Sequence, residues 1–320
     1  MLAHAVRRDG WGFIPHQLLP PLAANILVGA ALYTSYLQIL GRLHEPSAHA
    51  TKRAFPPPPP SATFTAGFAA GGIQSFIAAP LDALQVRFDR QGEHFGNKSM
   101  LSYSREKLHE IGARGIFAGW GLSFLKDSFG SGIFFSTFEY VKAQGYYHFV
   151  EWYYGSLGAG TIDILAQKRP TGDSAARPTP TIKPHYALEP AFLLLAGMSA
   201  SVTQQGILFP LTLVQTRHFE RLEDLDRQAK KFTASPNEQR GRMLKAYYNA
   251  YQETWTNCKL EAKPFGSMRG WLYHGFWWNT IRQVPSTSAG LIIFELVRRK
   301  YGQSGGEVKI NQGGYDILLS

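Results

Sequence analysis

Charged residues are segregated along this chain. Trp11–Gly41 runs for 31 residues without Asp, Glu, Lys or Arg, Ala54–Leu81 for 28 and Pro190–Thr216 for 27. Each run exceeds the ~20 residues that a helix needs to cross the hydrocarbon of a bilayer. Two further stretches are interrupted only near their middles, Gly115–Phe138 by Lys126 and Asp127, and Gly270–Phe294 by Arg282. The pattern predicts five membrane-spanning helices. A soluble core could bury one or two such runs, but not five in 320 residues. The runs are rich in Gly, Ser, Thr, Gln and Pro, as membrane helices are when they pack closely or line a watery cavity. That reconciles them with a mean hydropathy of −0.18.

Composition removes several classes. A single cysteine, Cys258, makes no intramolecular disulfide and no four-thiolate zinc site. Met1–Trp11 shows no basic, apolar, small-residue leader of the secretory kind. The net charge of +10, with 21 Phe, 15 Tyr and 7 Trp, suits either nucleic acid or an anionic membrane surface. The uncharged runs decide for the membrane.

The chain also repeats. Phe64-Thr-Ala-Gly67 through Gly71, Pro80, Asp82, Gln85 and Arg87 aligns without a gap on Leu194-Leu-Ala-Gly197 through Ser201, Pro210, Thr212, Gln215 and Arg217. Gln74 and Gln204 each stand six residues before the proline. Downstream, Gly119 leads after seven residues to Lys126 and then to Phe138-Glu139-Tyr-Val-Lys142, as Gly275 leads after seven to Arg282 and then to Phe294-Glu295-Leu-Val-Arg298. A weaker half-copy opens at Gly12-Phe-Ile-Pro15, with Leu19 at the position of Lys126 and Arg282.

These motifs resemble the mitochondrial carrier family: Pro-x-Asp/Glu-x-x-Lys/Arg-x-Arg/Lys on odd helices, Gly-x-x-x-Gly upstream of it, and Phe/Tyr-Asp/Glu-x-x-Lys/Arg on even ones. The resemblance implies an all-α membrane protein built as a pseudo-threefold six-helix barrel. Five of the six transmembrane helices are expected here, the first odd helix lacking, with short interfacial helices on the matrix side at Tyr103–Ile111 and Met243–Trp255. Segments follow as a partial repeat at 1–50, a Pro-rich linker at 51–62, a complete repeat at 63–150, a flexible linker at 151–189, a second complete repeat at 190–303 and a tail at 304–320.

A solute pathway through lipid needs charged groups facing a cavity, because charge in a span is costly elsewhere. Lys126, Asp127 and Arg282 are the candidates, with Gln74, Gln204 and Gln205 beside them. The resemblance places Lys126 and Arg282 at the family's substrate contact points. A basic group suits carboxylate or phosphate, and Asp127 suits an amine. Alternatives stay open: Lys126 and Asp127 neutralise one another or one snorkels, and the glutamines bond between helices.

The resemblance also implies gates. Pro80, Asp82, Arg87, Pro210 and Arg217 fall on the matrix gate, with Arg87 or Arg217 as partner for Asp82. The prolines equally suit packing kinks. Glu139 with Lys142 and Glu295 with Arg298 fall on the cytosolic-side gate, or are plain i,i+3 pairs. Gln85, Thr212 and Gln215 depart from the charged pattern, so the matrix ring of three ion pairs cannot form as the family builds it.

The segments 87–114 and 217–269 carry six basic against four acidic and eleven against seven residues, while 139–189 is balanced at five and five. That bias fits a matrix location for the first two. His274 and Cys258 have no partners at metal-ligand spacing, so no metal and no cofactor is expected. The resulting expectation is a non-enzymatic, multi-pass, monomeric protein of the mitochondrial inner membrane. Its partners are a small anionic or zwitterionic solute, moved by alternating access, and membrane lipid with cardiolipin a candidate; nucleic acid is not among them. The alternative is a carrier-derived membrane adaptor or fusion factor that does not transport, or a truncated inactive carrier.

Overall fold

Five long helices fall on the five predicted runs. The computed structural model describes residues 19–49, 56–91, 104–106, 108–109, 112, 115–155, 181–182, 184–185, 188–229, 236–301, 308–312 and 315–319. Helices α1 (Leu19–Leu43) and α2 (Glu45–His49) precede α3 (Pro60–Gln91), α4 (Trp120–Glu139) and α5 (Tyr146–Tyr154). Then come α6 (Leu188–Ala229), α7 (Pro236–Ala262), α8 (Met268–Leu272) and α9 (Phe276–Tyr301). Among the described residues, Leu22–Leu43, Pro60–Val86 and Leu188–Gln228 are long and apolar enough to cross a membrane. Three of the five expected spans meet that measure; the helices that carry Lys126, Asp127 and Arg282 are not among them.

Pro80 and Pro210 lie inside α3 and α6 without ending them, and Pro285 lies likewise inside α9. In a bilayer the helix is the backbone's way to satisfy its own hydrogen bonds, so a proline there bends the helix instead of breaking it.

The chain forms two compact units, each built from three separated stretches. The first comprises Met1–Tyr36, Phe68–Ser131 and Gln205–Phe276. Here α3 meets α4 closely: a Cβ on Gly71 would run into the backbone carbonyl of Asp127, and Gly72 faces the Phe124 ring. Phe68 stacks edge-on against Phe124 and Phe129, and Trp120 packs on Phe76 while donating to Ser75 Oγ at 3.1 Å. The long extension of α6 folds against the polar helix α7 around Ala83, Phe219, Leu222 and Ala250. Polar contacts finish that seam: Tyr247 donates to Asp226 at 2.7 Å, Arg221 to Glu253 at 2.6 Å, and buried His218 lies against Thr254 and the Tyr251 ring. The expected Met243–Trp255 helix is the central part of α7. Of Tyr103–Ile111, the described residues are 104–106 and 108–109, all helical.

The second unit comprises Leu37–Gly67, Gly132–Gln204 and Trp277–Ser320. After Glu139 the helix loosens into a π-helical turn over Tyr140–Gly145, a recurrent form of local insertion. Gln144 donates to Pro58 O at 3.1 Å and Ser136 to Pro60 O at 3.2 Å, tying this region to the start of α3. Tyr146, Tyr147, Val150 and Tyr154 form an apolar cluster with Ile317.

Ile317 belongs to an element absent from the all-helical expectation. Strands β1 (Thr181–Ile182), β2 (Val308–Gln312) and β3 (Tyr315–Leu319) form a small sheet in the order β1-β3-β2. β2 and β3 pair antiparallel, and β1 joins β3 in parallel. The segments alternate or concentrate Val, Ile, Tyr and Leu around Gly313-Gly314, which is hairpin composition that the surrounding tail composition masks.

Candidate functional site

The charged pair in the middle of α4 closes one side of a cavity of about 200 Å³ in the first unit. Its apolar wall is Ala24 and Val28 of α1 with Ala78 and Leu81 of α3. Its polar lining is Asn25, Gln74, Asp82, Gln85, Lys126 and Asp127. Gln74, Ala78, Leu81 and Gln85 recur at three- and four-residue intervals, so one stripe of α3 faces the cavity. Asp82 and Gln85 are likewise one turn apart.

Lys126 Nζ lies 2.7 Å from Asp82 Oδ2 and 3.6 Å from Asp127 Oδ1. The Lys126 and Asp127 side chains retain 13% and 9% of their exposure and Asp82 33%, so Lys126 and Asp127 are shielded and Asp82 is the more open member of the triad. Two carboxylates to one ammonium leave it with one formal negative charge. Asp127 Oδ2 and Gln74 Oε1 are buried without a hydrogen-bond donor. Gln215 of α6 reaches the same triad: its Nε2 donates to Ser123 Oγ at 2.7 Å and approaches Asp82 Oδ2 at 3.4 Å.

Asp82 therefore pairs with Lys126, and not with Arg217 as the sequence suggested. Arg217 pairs with Glu220 at 3.0 Å and Glu261 at 3.1 Å. The reason is helical phase. Gln215 faces Asp82, and Arg217, two residues later, points about 200° around α6 toward α7. The side chain of Arg87 lies outside the described residues.

The other expected residues are spread more widely. Gln205 is buried in the first unit, and Gln204, half-buried, belongs to the second. Arg282 is exposed on α9, also in the second unit. Glu139 and Lys142 form an i,i+3 pair at 3.7 Å, with Lys142 Nζ 5.4 Å from the Phe138 ring centre. Glu295 and Arg298 lie on α9, with side chains outside the described residues. Among the described residues no cluster of His, Cys, Asp and Glu could hold a metal.

Sequence reasoning missed Asn25, Ser123 and the cavity-facing role of Gln85. Asn25 had a signal, being the one polar side chain between Leu19 and Ala31. Ser123 had none, because serines are common throughout these helices.

Residues 56–148, which carry Gln74, Asp82, Lys126 and Asp127, match the model of the family described as mitochondrial carrier protein. That segment, under a third of the chain, is similar to the mitochondrial carrier family. Mitochondrial thiamine pyrophosphate carrier 1 of Coccidioides immitis is 26% identical over 290 residues, covering 89% of this chain and 70% of that protein. The protein of the same name from Pyricularia oryzae is 24% identical, covering 93% of this chain and 74% of its own length. A mitochondrial arginine transporter of Arabidopsis thaliana is 25% identical over 136 residues, 42% of this chain and 43% of that one. No solved structure matches.

Proposed function

We propose that this chain moves a small zwitterionic or anionic metabolite across the mitochondrial inner membrane by alternating access, and is not an enzyme. The observation that supports the reading is the Lys126–Asp82–Asp127 triad at a cavity inside the family-matched segment. Charges in a span are retained where they face a pathway, and here three of them meet within one. Lys126 is the anion-binding group and Asp127 the amine-binding one, with Gln74 and Gln205 in support. Arg282, at the same repeat position as Lys126, is a further cationic contact for the solute, and Gln204 a further polar one. Pro80 and Pro210 bend the helices that close the matrix side, where Asp82 with Gln215 does the latching, and Arg87 and Arg217 are the basic residues of the same gate. Glu139–Lys142 and Glu295–Arg298 latch the opposite side. The chain acts as a monomer in lipid, cardiolipin included, and the repeats at 63–150 and 190–303 are its working units.

The test is uptake by liposomes carrying the purified chain, screened with amino acids, keto acids and phosphate compounds. Saturable uptake that Lys126→Ala abolishes is the expected result. Unchanged uptake in both Lys126→Ala and Arg282→Ala overturns the assignment of the site. A second reading, a carrier-derived adaptor that transports nothing, is favoured by the neutral Gln215 contact to Asp82 where the resemblance implies an ion pair. Absence of uptake for every solute in a folded, reconstituted chain selects it.

A further inference from the structure

Hydrogen-bond accounting in the cavity narrows the solute further. Lys126 is a donor of three protons with no acceptor capacity, and Asp82 and Asp127 as carboxylates only accept. One ammonium thus serves two carboxylates, and most of it is committed to Asp82 at 2.7 Å. Asp127 Oδ2 and Gln74 Oε1 remain buried with no donor. Asp127 is itself nine-tenths buried, with 9% of its side-chain exposure left. Buried polar atoms in folded proteins are overwhelmingly satisfied, so two orphan acceptors on residues lining one cavity require an explanation.

We infer that the cavity at Lys126, Asp82 and Asp127 recognises a protonated amine or guanidinium, the cationic N–H group donating to Asp127 and Gln74. This rests on the carrier reading above and names the solute class within it. A cation removes the formal negative charge of the triad and supplies the donors that both orphan oxygens lack. A modest side-chain rotation, of the kind common on ligand binding, turns each oxygen to the cavity. A simple dicarboxylate or phosphate faces the opposite balance. It adds negative charge beside two carboxylates, brings no N–H donor, and competes with both carboxylates for Lys126. The carboxylate of an amino acid meets the remaining N–H of Lys126 and the amides of Asn25 and Gln85, which line the same cavity and can donate. The volume of about 200 Å³ lies below the ~300–1,000 Å³ of pockets for drug-sized ligands, which sets the solute at the scale of an amino acid or a diamine.

The experiment uses the purified full chain, with lysine, putrescine, 2-oxoglutarate and inorganic phosphate as probes. Thermal-stability shift reads binding, and liposome uptake reads transport. Lysine and putrescine raise the melting temperature through preferential binding to the folded state, and 2-oxoglutarate and phosphate do not. Asp127→Asn weakens the amine response about tenfold or more, and Gln74→Leu weakens it less. Asp82→Asn, which frees Lys126 and neutralises the triad, creates a response to 2-oxoglutarate; this gain does not depend on Asp127→Asn folding well. Equal stabilisation by lysine and 2-oxoglutarate, no response to either amine, or an Asp127→Asn variant with the native amine response overturns the inference. Uptake of carboxylates that lack an amine supports the carrier reading and overturns this one. Stabilisation by amines with no uptake supports this inference and overturns transport.

Discussion

Lys126 and Asp82 stand 44 positions apart in the chain and meet at 2.7 Å across α4 and α3. The same Asp82 oxygen receives the Gln215 amide at 3.4 Å from a residue 133 positions away. A single carboxylate therefore joins the cavity to the site that the family resemblance assigns to the matrix gate.

Removing the ammonium should be costly. Lys126→Ala leaves Asp82 and Asp127 facing each other without a cation, and destabilises the protein by about 2–3 kcal/mol. That lies below the ~3–5 kcal/mol of a fully buried pair, because Asp82 keeps a third of its exposure. Combining Lys126→Ala with Asp82→Asn costs less than the sum of the two single losses. Thermal unfolding in detergent across the four proteins of the cycle measures it, and additive losses would refute the pairing.

Gln215 is expected to matter through Ser123 more than through Asp82. Its bond to the buried Ser123 hydroxyl is short, at 2.7 Å, whereas that to Asp82 is long. Gln215→Ala costs about 1–2 kcal/mol by leaving the hydroxyl unpaired. Gln215→Lys adds a cation beside Asp82 and competes with Lys126, so uptake slows as the gate contact strengthens. Faster uptake in Gln215→Lys would contradict the coupling.

Two glycines give opposite expectations. Gly71→Ala pushes a methyl against the Asp127 carbonyl and Ser128 backbone, which no side-chain rotation relieves, and costs about 1–3 kcal/mol while shifting the cavity wall. Gly206→Ala, on α6 with open space at the Cβ, is neutral or stabilising by about 0.5–1 kcal/mol. Equal melting temperatures for the two variants would show that α3 and α4 do not approach as described.

Cys258 should be unreactive in the folded protein. It is fully buried on α7, packed with Ala262 and Trp271. Burial raises the thiol above its ordinary range, the Glu261 carboxylate adds to this, and Arg217 opposes it. With the folded value raised, the unfolded chain ionises first, so this group's contribution to stability is present at neutral pH and falls away above about pH 8.5. Maleimide labelling is slow in the native protein and fast in denaturant. Labelling at the free-thiol rate without denaturant would place Cys258 at the surface.

Five helices, the internal repeat and the mid-span charges were legible in the sequence, because each is a local or periodic property. Backbone that enters lipid must satisfy its own hydrogen bonds, which favours helix in a long uncharged run, and Lys126-Asp127 in such a run marks a place where charge must be compensated. The small sheet was less visible, since β1 contributes two residues and gains meaning only beside β3. The partners of those charges were decided by tertiary structure alone. Which residue Lys126 meets depends on the rotation and axial shift of α3 against α4, and these are set where Gly71 lets the two backbones touch. A rotation of α6 by two residues would exchange Gln215 for Arg217 and restore an ion pair at Asp82. Asn25 enters the site for the same reason: the sequence makes it the one polar group on an apolar stretch, and only packing turns it toward the cavity.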